Sequence, residues 1–359
     1  MLTSPRRFKS LLVCHIRDFL SSRFNYFQSG FETLHRNISS SAFHDSRARF
    51  PPPRCHPSTR KDILAQIMDH IIGTSSSSKI LHLFGSEGSG KSAIAQMIAE
   101  YSKTNGTLGA CFFFSRVSSE RNTDKNLIAT LAYQLCVTVP ELKLFIAKAV
   151  EDDLSTFQKD VDTQMERLII NPIIQATNEG KKTLRYPILI VIDGLDECEG
   201  AKEQCAFLRA ISGAIGRCSL PLYFFISSRK EGHIVNCLNE DRTLRVRSIL
   251  DLDHNNHDQA KKDIEAYICS EFERIRSVHH ILESSSSPWP SQADIQMVVS
   301  KTNMLFSRAL EIMAFIDQKN PETQLEFFIL RESDPGQMPA SGLRAVSSAT
   351  PNLDHDKPK

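Results

Sequence analysis

Residues Gly85 to Ser92 read Gly-Ser-Glu-Gly-Ser-Gly-Lys-Ser, and their types and order suit a polyphosphate. Glycine lets a backbone take positive φ and approach a ligand closely. Amides at the head of a helix present partial positive charge to an anion. Gly85, Ser86, Glu87, Gly88, Ser89 and Gly90 would wrap the anion, Lys91 would reach the β- and γ-phosphates, and the Ser92 hydroxyl would ligate Mg²⁺. A chance glycine-rich turn is the bland alternative, and the flanks argue against it. Ile80-Leu81-His82-Leu83-Phe84 precedes the loop as a short apolar strand, and Ala93 to Glu100 follows with helix formers at helical spacing.

A second group of polar residues stands at the end of another apolar run. Tyr186-Pro187-Ile188-Leu189-Ile190-Val191-Ile192 has the unbroken hydrophobicity of a strand buried on both faces of a parallel sheet. It leads into Asp193-Gly194-Leu195-Asp196-Glu197, at the strand end where open α/β sheets place ligand chemistry. Asp193 is expected to hold Mg²⁺, directly or through water, and Glu197 or Asp196 to orient and polarise an attacking water. The competing reading is an acidic helix N-terminus that complements the dipole of the next helix. A third strand, Leu222 to Ile226, ends in Ser227-Ser228-Arg229. Arg229 either senses the γ-phosphate through its guanidinium fork or pairs with Glu231 or the acidic Asp193 loop.

These groups need a scaffold, and the chain is long enough to build one. It has 359 residues, 41% hydrophobic and 24% charged, which allows one large or two moderate domains. With 43 basic against 42 acidic residues, bulk charge does not point to nucleic acid. No apolar run reaches the 18 or so residues of a spanning helix, so no membrane partner is expected. The nine cysteines form no Cys-x-x-Cys pair and read as reduced thiols of a cytoplasmic protein. His254, His257 and Asp258 have a loosely metal-like spacing but read as a polar loop.

Residues 1–50 differ in composition, with eight Lys or Arg against three acids. Phe8, Leu12, Ile16, Phe19, Leu20 and Phe27 would line one side of a basic helix. A mitochondrial-type presequence, a partner- or membrane-surface helix and a poorly ordered leader compete, the last favoured. Pro51-Pro52-Pro53 marks a boundary, and residues 51–252 read as the nucleotide module. Within it, helices are expected at 60–72, 125–138, 140–150, 163–177 and 201–215, and further strands at 109–114 and 244–250. The strand at 109–114 is inserted between the loop strand and the Asp193 strand. Together with Glu197 it predicts a three-layer α/β phosphate-loop NTPase. Its sheet would be five-stranded and mainly parallel, of the additional-strand, catalytic-glutamate type. No Asn-Lys-x-Asp stretch is present to read guanine, which favours ATP and ADP with Mg²⁺. Residues 253–330 read as a small helical lid, with helices at 257–276, 292–300 and 304–318 and an apolar segment at 325–330. Residues 331–359 read as a disordered tail.

Several stretches together resemble the NACHT family of signalling phosphate-loop ATPases, within the class of signal-transduction ATPases with numerous domains. The closest likeness is to the nephrocystin-like N-terminal modules of fungi. It is carried by Cys55-His56-Pro57-Ser58-Thr59-Arg60, the loop Gly85–Ser92, and Leu108-Gly109-Ala110-Cys111-Phe112-Phe113-Phe114-Ser115-Arg116. Asp193-Gly194-Leu195-Asp196-Glu197-Cys198, Ile226-Ser227-Ser228-Arg229 and Asp263-Ile264-Glu265-Ala266-Tyr267-Ile268 complete it. The resemblance implies that Lys91, Ser92 and Asp193 bind nucleotide and Mg²⁺, that Glu197 supports hydrolysis, and that Arg229 reports on the γ-phosphate. Thr59 and Arg60 match a segment that lies against the base or ribose. It further implies a slow switch, closed with ADP and able with ATP to associate with itself or with related NACHT proteins. In fungi such proteins are linked to non-self recognition and cell death. Near 303–309 the chain departs from the family's glycine-led apolar stretch, with Asn303-Met304-Leu305-Phe306-Ser307-Arg308-Ala309. No winged-helix region or repeat array is recognised. The alternative is therefore a shortened scaffold that binds nucleotide without useful hydrolysis and docks on full-length partners.

Overall fold

Four of the five apolar runs become strands for one reason: nearly every position in them is covered. In a computed structural model, which describes residues 29–72, 78–179, 187–217, 222–245, 247–254, 257–279 and 289–333, the strands are β1 (Ile80–Phe84), β2 (Leu108–Phe113), β3 (Ile188–Asp193), β4 (Leu222–Ser228) and β5 (Ser248–Asp251). All of β1, β2 and β3 is buried, as is all of β4 except Tyr223. That burial accounts for runs without alternation. The sheet is five-stranded and all-parallel, in the order β2-β3-β4-β1-β5. Parallel neighbours keep a direct register, Ile190 opposite Phe224 and Phe113 opposite Asp193.

The strand that separates β1 from β3 is therefore β4, whereas β2, inserted between them in chain order, lies at the sheet edge. Gly109 permits the close approach of β2 to β3, since a Cβ there would stand 2.3 Å from Ile188 Cγ2. The last strand is also shorter than the expected 244–250. Asp241 Oδ1 accepts the N–H groups of Thr243 and Leu244, so the chain makes a helical turn before β5 begins.

Helical segments are α1 (residues 29–36), α2 (Lys61–Ile72), α3 (Lys91–Thr104), α4 (Leu127–Thr138), α5 (Pro140–Asp152), α6 (Val161–Met165), α7 (Asn171–Asn178), α8 (Ala201–Arg217), α9 (Gly232–Glu240), α10 (Arg242–Arg245), α11 (His257–His279), α12 (Gln292–Lys301), α13 (Phe306–Ile316) and α14 (Pro321–Ser333). A wide π turn over Glu166–Ile170 joins α6 to α7, in which Pro172 is the second residue.

The described residues separate into two compact units. Among them, the first takes in 29–50, 67–82 and 98–249. Its core contains the fully buried Phe112, Phe113, Phe207, Phe224 and Phe225. Residues 29–50 belong to it, although their composition reads as part of a poorly ordered leader. Phe31 stacks on Tyr133 with ring centroids 5.2 Å apart, Leu34 is buried, and the Ser39 N–H donates to Thr130 Oγ1. The basic-helix positions from Phe8 to Phe27 and the tail beyond 333 lie outside the described residues.

Among the described residues, the second unit comprises 51–66, 83–97 and those between 250 and 333. Its helices α11–α14 bury an apolar seam that includes Ile268, Phe272, Ile275, Val298, Ile312 and Phe328. Ser291 and Asp294 close a capping box on α12. Asp317 accepts from Arg274 and His279 at 2.6 and 2.8 Å, tying the end of α13 to α11. The apolar segment 325–330 proves to be the middle of α14.

His82 gives the first unit a pH dependence. Its ring is fully buried, with Nε2 2.8 Å from Ser228 Oγ, and burial, helped by Arg247, pushes its pKa down to about 3. An unfolded histidine protonates near pH 6.5, so this stability is complete above that pH and drains away as pH falls toward the folded value. Between pH 6.5 and 5.5 the His82 share is expected to be about 1 kcal/mol. Denaturant melts of the unmodified chain and His82→Gln at both pH values check it. The variant should lack that increment of acid sensitivity.

Candidate functional site

β1 runs into the loop Gly85–Ser92, whose residues belong to the second unit, and the loop runs into α3. Gly88 and Gly90 have φ of +79° and +96°, a region that favours glycine. A Cβ on Gly88 would fall 2.0 Å from Ser307 Oγ, so a side chain there meets steric as well as conformational resistance. Lys91 folds back along the loop, its Nζ donating to Gly85 O at 2.9 Å and Ser86 O at 2.8 Å. Ser86 donates its N–H and its hydroxyl to the two carboxylate oxygens of Asp253. Ser89 is buried, with an Oγ that has no hydrogen-bond partner, while Glu87 is exposed. Ser92 lies half-buried in the first turn of α3, where helix amides lack intrahelical partners.

Thr59 and Arg60 belong to the same unit. Thr59 closes a turn, its N–H and Oγ1 both donating to His56 O. Arg60 has φ of +58° and is only 3% exposed. Its Nη2 donates to Ser89 O at 2.8 Å and its backbone N–H to Asp263 Oδ2 at 3.0 Å. The closest ties of Arg60 are thus to the loop backbone and to α11.

The first unit holds the acidic group. Asp193 ends β3 and is 3% exposed. Ser227, on neighbouring β4, donates its hydroxyl to Asp193 Oδ1 and accepts the Gly194 N–H, which orients the carboxylate. Gly194 at φ of +71° turns the chain into the short helix Leu195–Glu197. Asp196 and Glu197 then diverge. Asp196 takes the Arg229 N–H at 2.9 Å on one oxygen and Arg229 Nε at 2.7 Å on the other. Arg229 thus pairs with Asp196 of the acidic loop and lies 3.8 Å from Glu231. Glu197 accepts the Arg116 N–H at 3.0 Å, and burial, with Asp193 and Asp196 nearby, raises its pKa above the ordinary glutamate value. A carboxylate whose proton affinity is raised is better suited to take a proton than one clamped by arginine.

Residues 59–229 match the family model described as nephrocystin 3, N-terminal. A search of curated proteins finds no match. The nephrocystin-like segment begins at Thr59 and ends at Arg229, so it spans the loop, Asp193, Glu197 and Ser227. Several residues that engage these groups lie beyond it. Arg49 places its guanidinium 3.6 Å from the Phe113 ring, and Phe113 is the register partner of Asp193. Asp253 and Ser307 both contact the loop from chain positions after 229. Within the segment, Arg116, Arg121 and Ser227 were not singled out by their types. Arg121 donates to Phe113 O, one residue from the N–H by which Phe114 bonds Asp193 O. Only the Ser-Ser-Arg strand end offered a hint of Ser227. Among the described residues no group of three or more His, Cys, Asp or Glu could hold a metal ion by itself. No described helix is long and apolar enough to cross a membrane.

Proposed function

We propose that this chain binds Mg–ATP in the loop Gly85–Ser92 and works as a NACHT-type, nucleotide-dependent signalling switch that hydrolyses ATP slowly. The observation that carries the reading is the loop itself: a buried strand, two glycines at positive φ, a lysine lying along the loop, and a helix start. Its residues suit an anion, since the Gly88 position has no room for a Cβ and the turn delivers its amides to the head of α3. The nephrocystin 3 match over 59–229 supports the same family of readings.

In this account Lys91 would exchange the loop carbonyls for phosphate oxygens, and the Ser92 hydroxyl and the Asp193 carboxylate are the groups that would hold Mg²⁺. Mg²⁺, when bound, neutralises charge on the transferring phosphoryl group. Ser227 keeps Asp193 in one orientation, and Glu197 orients and deprotonates the attacking water. Magnesium commonly binds through one or two carboxylates plus substrate phosphates, which agrees with a lone Asp193 in place of a protein cage.

A second reading, nucleotide held without useful turnover, is favoured by one observation: Arg229 is committed to Asp196. Turnover separates the two, since a scaffold binds ATP but releases no phosphate above background. Light scattering tests the switch, because ATP should give larger particles than ADP. Equal particle size in both would count against regulated association.

A further inference from the structure

We propose that Arg60 is a positioning residue for the phosphate-binding backbone, holding the loop from behind rather than reading the nucleotide base. The inference rests on the assignment of Gly85–Ser92 proposed above. The peptide units 88–89 and 89–90 lie between Gly88 and Gly90, the residue type that offers least steric resistance to a peptide flip. A flip would turn a carbonyl oxygen toward the anion in place of an N–H. Both units are held by donors from outside the loop. Arg60 Nη2 donates to Ser89 O at 2.8 Å, and the Ser307 N–H donates to Gly88 O at 3.2 Å. In a trans peptide N–H and C=O point opposite ways, so a donor on Ser89 O directs the Gly90 N–H away from Arg60.

The arginine is built to stay there. Its backbone N–H is bonded to Asp263 Oδ2, and Gln259 holds the other oxygen of that carboxylate at 3.1 Å. The guanidinium lies 4.9 Å from the ring of Phe306, the residue before Ser307. Nε and Nη1 are buried with no hydrogen-bond partner. Burying a cation that incompletely bonded costs stability, so packing alone does not account for it. Through Asp263, Phe306 and Ser307, the loop backbone is tied to α11 and α13 within the second unit. Any change in loop conformation is therefore felt by these helices.

The test titrates Mg–ADP and inorganic tripolyphosphate into the unmodified chain, Arg60→Met and Arg60→Gln, with circular dichroism to check folding. Arg60→Met should weaken both ligands by the same factor, about 10- to 100-fold, the loss of one charge-assisted hydrogen bond. Arg60→Gln keeps a neutral donor in similar space and should bind both several-fold more weakly than the unmodified chain. Wild-type tripolyphosphate affinity in a folded variant, or weakening of ADP alone, overturns the inference and leaves the assignment of the loop standing. If the unmodified chain binds neither ligand, the assignment itself fails, and this inference with it.

Discussion

Replacing Glu197 by Gln is expected to lower ATP hydrolysis about 100- to 10,000-fold, the usual contribution of a positioned general base, with Mg–ATP binding nearly unchanged. The size follows from the exchange of roles with Asp196. Asp196 is held by two donors of Arg229, whereas Glu197 accepts the Arg116 N–H and sits where burial raises its proton affinity. Glutamine is nearly isosteric and can still accept that N–H, so the fold around Arg116 should survive. The same shift fixes the sign of the pH dependence. Glu197 acts as the carboxylate, so hydrolysis should fall as pH drops through its pKa, at a pH above that of an ordinary glutamate. A steady-state phosphate-release profile reads both effects. An acid limb unchanged in Glu197→Gln would assign it to another group.

Lys91→Ala is expected to weaken Mg–ATP and Mg–ADP by about 100-fold, at the upper end for a hydrogen bond to a charged group. Two features make the loss large. Nζ lies along the loop, on Gly85 O and Ser86 O, so little rearrangement delivers it to a phosphate. The guanidinium of Arg60 reaches the loop from behind, through Ser89 O, and so does not take the place of Lys91. The folded state should lose little, because Lys91 is only half-buried. Equal melting temperatures with unequal nucleotide affinity would locate the effect in binding.

The sheet was legible because β1 to β4 are covered on both faces, which leaves a mark in sequence that no alternation blurs. β5 was read too long, since its half-exposed residues carry no such mark and Asp241 starts a turn ahead of it. The helix α9 passed unnoticed, for Gly232 and the polar His233, Asn236 and Asn239 dilute its apolar face. Spatial order is not legible in the same way, since the strand between β1 and β3 is set by packing across the sheet and is β4, which follows both in the chain. At the site, the loop and Asp193 are marked by residue type because each stands at the end of one strand, within a single local stretch of chain. Arg229 was ambiguous because its partner, Asp196, is brought to it by β3 and β4 side by side. Ser307 and Arg49 act on groups far away in sequence, and Arg49 is hidden in a segment whose basic composition resembles a leader.

The most direct measurement is isothermal titration of ATP, ADP and GTP, with Mg²⁺, into the unmodified chain and into Lys91→Ala. The account predicts saturable binding of the adenine nucleotides near one equivalent, weaker binding of GTP, and an affinity about 100-fold lower in the variant. A folded chain that takes up no nucleotide, or a Lys91→Ala variant that binds as the unmodified chain does, would contradict it.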